Sequence, residues 1–372
     1  TDFTVEGTHM RRIVGAILVV LGALLLGLGL LAKPYLYPRL ATVPLDQDST
    51  SISEGKNMSV LYPHVKNGAA AIDALKGVDV KSTRTVIGIP GKVAEQDLQS
   101  STAFWQTQVK SEANVGGKWV PLSYSDEGVS FDRVSAEVTN CCGDYKSVGD
   151  LDNPKKTEQV TRTGHYFKFP FDTQQQDYDW WDGDLGKAVP IKFKEVADLY
   201  GTDTYVFEQV IPKTQTASRE VPASLFSPTG TGNVTAKVMY GNTRTLWVEP
   251  NTGVIIKGQE KVDKTLESSA GTVAMTVGTI GYNEATIEDN AKTWGSKGSL
   301  LGLIRGPLGW ILGLLGVALL GLGAFLLLAG RRNAEQQAQH STRSGDAAVD
   351  DTDRFFTEAE QTTRRRSDVD RG

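Results

Sequence analysis

Asp177, Asp179, Asp182 and Asp184 crowd into the eight residues "DYDWWDGD". Carboxylates at such alternating spacing, with Gly183 among them, offer hard oxygen ligands of the kind calcium takes. An EF-hand loop is excluded, because Trp181 stands at its fifth position and no glutamate stands at its twelfth. A solvated acidic turn uses the same residues without a metal. Paired carboxylates also serve glycoside hydrolysis, but that chemistry needs a defined separation in space, which spacing along the chain does not set.

Other reactive groups are sparse. Between the two long apolar stretches the only histidines are His64 and His165. The chain has no H-E-x-x-H, G-x-S-x-G, P-loop or Rossmann pattern. No resident metal and no cofactor is expected, and the chain reads as a non-enzyme. The two cysteines, Cys141 and Cys142, are adjacent in "TNCCGDY". They offer a vicinal disulfide in a tight turn before Gly143, or two free thiols; a pair alone is too few ligands for zinc.

The aspartates are embedded in aromatic residues: "KFPFDTQQQDYDWWDG". The alternation in "GHYFKFPF" predicts a strand with Phe167, Phe169 and Phe171 on one face. A polar connection follows, then Tyr178, Trp180 and Trp181. These three rings are the candidate lipid- or glycan-binding residues, since aromatic faces stack on sugars and lie along acyl chains. Bracing a hairpin is the competing role.

The elements that position these residues are set by two uncharged stretches, 13–32 and 307–329. At about 1.5 Å per residue the first reaches about 30 Å, the depth of a bilayer core. Arg11 and Arg12 precede it; Arg331 and Arg332 follow the second. The positive-inside rule places both termini in the cytoplasm, with Lys33, Arg39 and Arg305 weakening the contrast. A cleaved signal peptide is disfavoured by the length of the apolar run and by "LLAKPYLYP", which has no A-x-A site. Met10 is a candidate start. Gly309 and Gly313, and Ala23 and Gly27, have the spacing of close helix packing.

The expected organisation is therefore a cytoplasmic N-terminus (1–12), a transmembrane helix (13–32), an extracytoplasmic domain (33–306), a second transmembrane helix (307–329) and a disordered cytoplasmic tail (330–372). The net charge of -5 gives no support for nucleic-acid binding. "KPYLYPRL" reads as extended through its prolines. Beyond it, short runs rich in Val, Thr, Ile and Tyr, such as "TDTYVFEQVIP", predict strands. The clearest hairpin is "TLWVE", "PNTG", "VIIKGQE". Helices are predicted at 93–107, 285–292 and 224–226. The fold class is α+β: a β-rich ectodomain anchored by one transmembrane helix at each end.

The blocks "FKFPFDTQQQDYDWWD", "GTDTYVFEQVIP" and "LWVEPNTGVIIKGQE" resemble the LmcA-like, or porin PorA-like, family of actinobacterial cell-envelope membrane proteins. The resemblance covers most of residues 10–330. It implies an inner-membrane protein with its main domain in the periplasm, linked to lipomannan and lipoarabinomannan assembly. It also implies membrane lipids as partners, phosphatidylinositol-type glycolipids among them. The expected function is non-catalytic lipid or glycolipid binding. The alternative is a scaffold or regulator that recruits envelope glycosyltransferases, with a pore or a hydrolase behind it. The two-helix anchoring of one large outer domain also looks like class B scavenger receptors, in architecture only.

Overall fold

The computed structural model describes residues 2–66, 68–148 and 156–329, so the expected disordered tail at 330–372 lies outside the described residues. The chain divides into two compact units, one holding the terminal apolar helices and the other spanning Tyr37–Leu303.

Two helical stretches, Met10–Leu40 and Pro307–Ala329, are long and apolar enough to cross a membrane. The "KPYLYPRL" stretch is helical rather than extended. A π-helical turn, Ala32–Leu36, follows the helix Asp2–Leu31 and leads into Tyr37–Leu40. The wider turn accommodates Pro34, which has no N–H to donate. The two apolar helices run antiparallel and meet on glycines spaced seven apart. A Cβ on Gly22 would stand 2.7 Å from the Gly316 carbonyl oxygen, one on Gly29 2.8 Å from that of Gly309, and one on Gly15 3.0 Å from that of Gly323. Nothing lies within 4 Å of a Cβ on Gly27 or Gly313. Of the two expected spacings, Gly309 and Gly313 do lie at the contact, since the Gly313 amide nitrogen stands 3.2 Å from a Cβ on Gly29, while Gly27 lies off it and Ala23 is exposed. A seven-residue period keeps one seam turned toward a neighbouring helix, so the heptad glycines win.

The second unit is one antiparallel sheet of twelve strands among the described residues. The first arm comprises β1 (Asp48–Lys66), β2 (Ala69–Gly88), β3 (Thr102–Val115), β4 (Lys118–Asp132), β5 (Tyr145–Ser147) and β6 (Thr157–Gln159). The second comprises β7 (Tyr178–Asp182), β8 (Lys187–Leu199), β9 (Thr202–Pro222), β10 (Asn233–Glu249), β11 (Val254–Ser268) and β12 (Gly271–Tyr282). The chain builds outward from β1 to β6, crosses to the far edge, and builds inward from β7 to β12, where β12 pairs with β1. Register shifts in β1, β2, β3, β4 and β8–β12 are the bulges that let so wide a sheet curl.

The curl closes at one end. Three isolated bridges, Phe131↔Val138, Glu137↔His165 and His165↔Trp180, join the β4 side to β7. Backbone bonds from Val138 N to Gly164 O (3.0 Å) and from His165 N to Asp179 O (2.8 Å) complete the circuit. The left-handed backbone of Gly164 packs its α-carbon on the Asp179 backbone, where a side chain would collide.

Helix content is lower than expected around residue 100. A single turn, Pro90–Ala94, takes the start of the predicted 93–107 helix, and β3 takes the end of it. Pairing of Gln106 with Ile87 and of Thr107 with Glu127 places this stretch inside the sheet, and tertiary pairing overrides local propensity. The C-terminal expectation is met by the helix Glu284–Arg305, which Asn283 caps by accepting from Thr286 N at 3.0 Å. Its Ile287 and Ala291 pack on Ile256. The stretch 224–226 falls on a 3₁₀ turn, Ala223–Leu225.

The aromatic segment between β6 and β7 is not a strand. Its backbone bonds go to separate places: Phe169 N to Gly253 O (2.9 Å), Phe171 N to Val134 O (3.2 Å) and Asp172 N to Asn251 O (3.2 Å). Phe167, Phe169 and Phe171 do not share one face. Phe169 belongs to the core of the second arm, with Trp180, Phe207 and Val248. Phe167 and Phe171 pack on the core of the first arm, beside Trp105 and Phe131. The segment ties the two arms together by giving each its own ring.

Lys168 lies in this tie with a buried amine that has no hydrogen-bond partner among the described residues. Burial pushes its pKa down to about 7, against the opposing charge of Glu249, and its ammonium sits 3.9 Å from the Phe171 ring. An unfolded lysine keeps its proton up to about 10.4. The native state therefore loses stability as pH falls from there through about 7, and levels off below. Lys168→Met is expected to remove that dependence. It should stabilise the sheet unit at pH 6 by a few kcal/mol, since each tenfold difference in proton affinity between the two states is worth about 1.4 kcal/mol. Unfolding midpoints of both chains at pH 6 and pH 9 check it; equal gaps at the two pH values would contradict it.

Candidate functional site

Strand register sorts the side chains into an inner and an outer face. Ser53 stands opposite Ser82 and Tyr282, and Ser51 opposite Arg84. Arg84 stands opposite Val109, which faces Ser125, and Thr107 faces Glu127. On the second arm Arg244 stands opposite Glu260, Leu246 opposite Gly258, and Glu260 opposite Ile280. Side chains from both sets line one cavity of about 410 Å³ inside the curled sheet. That size falls within the roughly 300–1,000 Å³ of small-molecule sites.

The lining has two characters. The first arm supplies serine and threonine hydroxyls and Arg84. The second arm supplies Trp180, Trp181, Leu246, Ile255, Ile280 and Tyr282 together with the paired Arg244 and Glu260. A hydroxyl-rich wall therefore faces one that carries most of the cavity's aromatic and aliphatic side chains beside an internally paired Arg244–Glu260, which suits an amphiphilic ligand.

Charge around the cavity is organised in pairs. Arg162, almost wholly buried, donates to Glu127 Oε2 at 2.6 Å and to the Tyr145 carbonyl at 3.1 Å. Its guanidinium lies over Tyr166 (5.3 Å) and Trp181 (5.9 Å). Arg244 donates to Glu260 at 2.9 Å, Gln209 at 2.6 Å and Asp182 at 3.3 Å. Burial alone would raise the Glu260 carboxyl. The charge and hydrogen bond of Arg244, with Asn242 and Arg84 behind it, hold it below the usual range. The Tyr166 and Tyr240 hydroxyls are pushed up, mainly by burial and then by Glu127 and Asp182 respectively, and stay protonated.

Trp180 and Trp181 are buried in β7 and border the cavity. Tyr178, on the same strand, packs instead edge-on against Phe169 (5.3 Å) and Phe207 (5.8 Å), and its hydroxyl accepts from Gln174 N. Tyr178 and Trp180 thus share the core around Phe169, and of the three rings only Trp180 and Trp181 also border the cavity. Hairpin bracing and cavity lining coexist, because Trp180 also stacks on Phe169 at 4.9 Å.

The acidic cluster is dispersed. Asp182 accepts from Tyr240 Oη at 2.9 Å and caps the β7–β8 turn through the Asp184 and Leu185 amides. Asp184 pairs with Lys264, while Asp177 and Asp179 are exposed. Among the described residues, no group of three or more His, Cys, Asp or Glu side chains is gathered as a metal site. His165 is held by the Asp179 and Ser135 carbonyls at 3.1 and 3.2 Å, and burial lowers its basicity. It serves in the closure of the sheet. Cys141 and Cys142 form a disulfide, with Cys142 packed on Val93 and Phe104.

Sequence reading missed Arg84, Arg162, Arg244, Glu127 and Glu260. For the four that lie in strands, the only signal is a charge at an inward position of an alternating run. That signal is unreadable until register fixes which face is inward. Arg162 lies in a loop, where the chain pattern carries no signal of burial.

Comparison with known proteins gives a family match. The family model described as "Porin PorA" matches residues 14–325. A Corynebacterium amycolatum protein named "Porin PorA" is 25% identical over 306 residues, covering 68% of this chain and 78% of the relative. A Corynebacterium resistens protein of the same name is 22% identical over 329 residues, covering 68% and 77%.

Proposed function

Since the chain belongs to the porin PorA family, we propose that it is a membrane-anchored envelope protein that binds a lipid or glycolipid inside its curled sheet. On this reading it holds or hands over such a molecule during lipoglycan assembly, with the sheet unit on the extracytoplasmic side of the inner membrane and both termini in the cytoplasm. It performs no bond-breaking chemistry. The observation that carries the reading is the divided lining, with hydroxyls and Arg84 on one wall and Trp180, Trp181, Leu246 and Ile280 on the other, where the charges of Arg244 and Glu260 are paired with each other. A scaffold for glycosyltransferases would have no use for such an interior.

The family name and the polar interior favour a second reading, a pore. Two features oppose it. Two apolar helices do not enclose an aqueous path. The outer face of the sheet carries ion pairs such as Lys110–Glu112 (2.7 Å) and Lys194–Glu208 (3.1 Å), with both lysines exposed. A membrane barrel instead needs an apolar band about 25 Å tall on its lipid side.

Native mass spectrometry of the full chain, released from detergent, tests the proposal. A stoichiometric co-purified lipid or glycolipid is expected, and its loss is expected in Trp180→Ala with Trp181→Ala. A chain that carries none, even after incubation with envelope lipids, would refute the carrier. Discrete single-channel steps in planar bilayers would favour the pore.

A further inference from the structure

Two arginines line the cavity, Arg84 and Arg244, and Arg162 stacks against two of its rings. Two of the three are spoken for. Arg162 is neutralised by Glu127, and Arg244 by Glu260 and Asp182. Arg84 has no carboxylate within 4 Å among the described residues, although its charge is one of those that hold the more distant Glu260 carboxyl low. Its one hydrogen bond among them runs from Nε to Thr107 Oγ1 at 3.0 Å, which leaves the two terminal nitrogens unbonded. The rings of Tyr166 and Phe167, 5.8 and 5.6 Å away, flank the guanidinium. An arginine fixed this way presents a planar fork, and forks match the paired oxygens of phosphate or carboxylate.

The neighbouring hydroxyls point the same way. Ser51 lies across from Arg84, Ser53 across from Ser82, and Ser125 one strand beyond. Ser51, Ser53 and Ser125 border the cavity, and their hydroxyls bond to no protein group among the described residues. A group with several oxygens finds donors around Arg84 that the fold itself does not consume.

We propose that Arg84, with the serine hydroxyls around it, is an anion subsite that binds a phosphate or carboxylate group attached to a hydroxyl-rich headgroup. The inference rests on the carrier reading and deepens it: the anionic end of the ligand lies on the first arm, and its apolar part lies toward Trp180 and Trp181. A neutral headgroup would leave the fork unmatched.

The experiment uses the full chain in detergent micelles, with glucose 1-phosphate, glucuronate, inorganic phosphate and glucose as probes, read by isothermal titration. Binding of glucose 1-phosphate or glucuronate, but not glucose, is expected, and whichever binds identifies the anion. Arg84→Gln should weaken it roughly tenfold or more, the value of a charge-assisted bidentate contact. Arg84→Lys should recover part of the loss, since charge returns without the fork. Unfolding midpoints of both variants confirm that they fold. Equal affinity in wild type and Arg84→Gln, or no binding of any anion by wild type, would overturn the subsite. The two proposals fail separately. A chain that co-purifies with lipid of unchanged headgroup in Arg84→Gln keeps the carrier and loses the subsite. A chain that binds the soluble anion through Arg84 but carries no lipid keeps the subsite and loses the carrier.

Discussion

Arg162→Met will destabilise the sheet unit by about 3–5 kcal/mol, the cost of stranding one half of a buried ion pair. The guanidinium is fully buried and stands where three parts of the chain converge. It donates to Glu127 on β4, to the Gly128 carbonyl at 3.3 Å and to the Tyr145 carbonyl on β5. Its own backbone N–H donates to Asn140 at 2.8 Å. Methionine fills much of the volume beside Tyr166 and Trp181, so the loss reports charge and hydrogen bonding rather than a void. Three acceptors are left without their donor, and Glu127 is left with a partly buried charge. The double variant Arg162→Met with Glu127→Gln removes that charge and should recover part of the loss, which a double-mutant cycle reads as coupling. The measurement is thermal unfolding of the full chain in detergent, followed by tryptophan emission. At a few °C per kcal/mol, a fall of about 10 °C is expected. A single variant with a midpoint indistinguishable from wild type would mean that Arg162 is incidental to the closure.

Phe169→Ala should cost a comparable amount, about 3–5 kcal/mol, for a different reason. The ring is completely buried and stacks on Phe207 at 4.5 Å and Trp180 at 4.9 Å. Its deletion opens a void that the neighbouring strands, held by continuous ladders, can only partly fill. It also loosens Trp180 on the cavity side. The effect should therefore exceed that of Phe171→Ala, whose side chain is only partly buried. Near-ultraviolet circular dichroism separates the outcomes. Loss of the aromatic signal at a temperature where far-ultraviolet ellipticity persists would show the tie released with the strands intact. A Phe169→Ala chain with wild-type melting and an unchanged aromatic signal would sink the assignment of this segment as a tie.

The apolar stretches were legible because length and absence of charge are properties of contiguous residues. The hairpin across "PNTG" was legible for a similar reason: Pro250, Asn251 and Gly253 encode the turn locally, and Glu249 pairs with Val254 across it. The capped helix from Glu284 follows the same logic. Nothing in these features depends on a distant partner. The 93–107 stretch is the opposite case, since its composition allows a helix and only the ladders to β2 and β4 make Thr102–Val115 a strand.

The aromatic segment shows the boundary most clearly. Its alternation is real, and by itself it predicts a strand. The peptide groups of Phe169, Phe171 and Asp172 instead bond to Gly253, Val134 and Asn251, residues of two different turns. The sequence by itself determined that this protein has two membrane-length helices, an extended β-rich middle and an aromatic segment of structural weight, because each is written in neighbouring residues. Tertiary structure alone decided that the sheet closes on itself, that Trp180 and Trp181 border a cavity while Tyr178, packed on the same core as Trp180, does not, and that Arg84 faces that cavity with no carboxylate within ion-pair distance among the described residues. Those outcomes depend on register between strands far apart in the chain. A one-residue shift would exchange the inner and outer faces, and with them every group that lines the site.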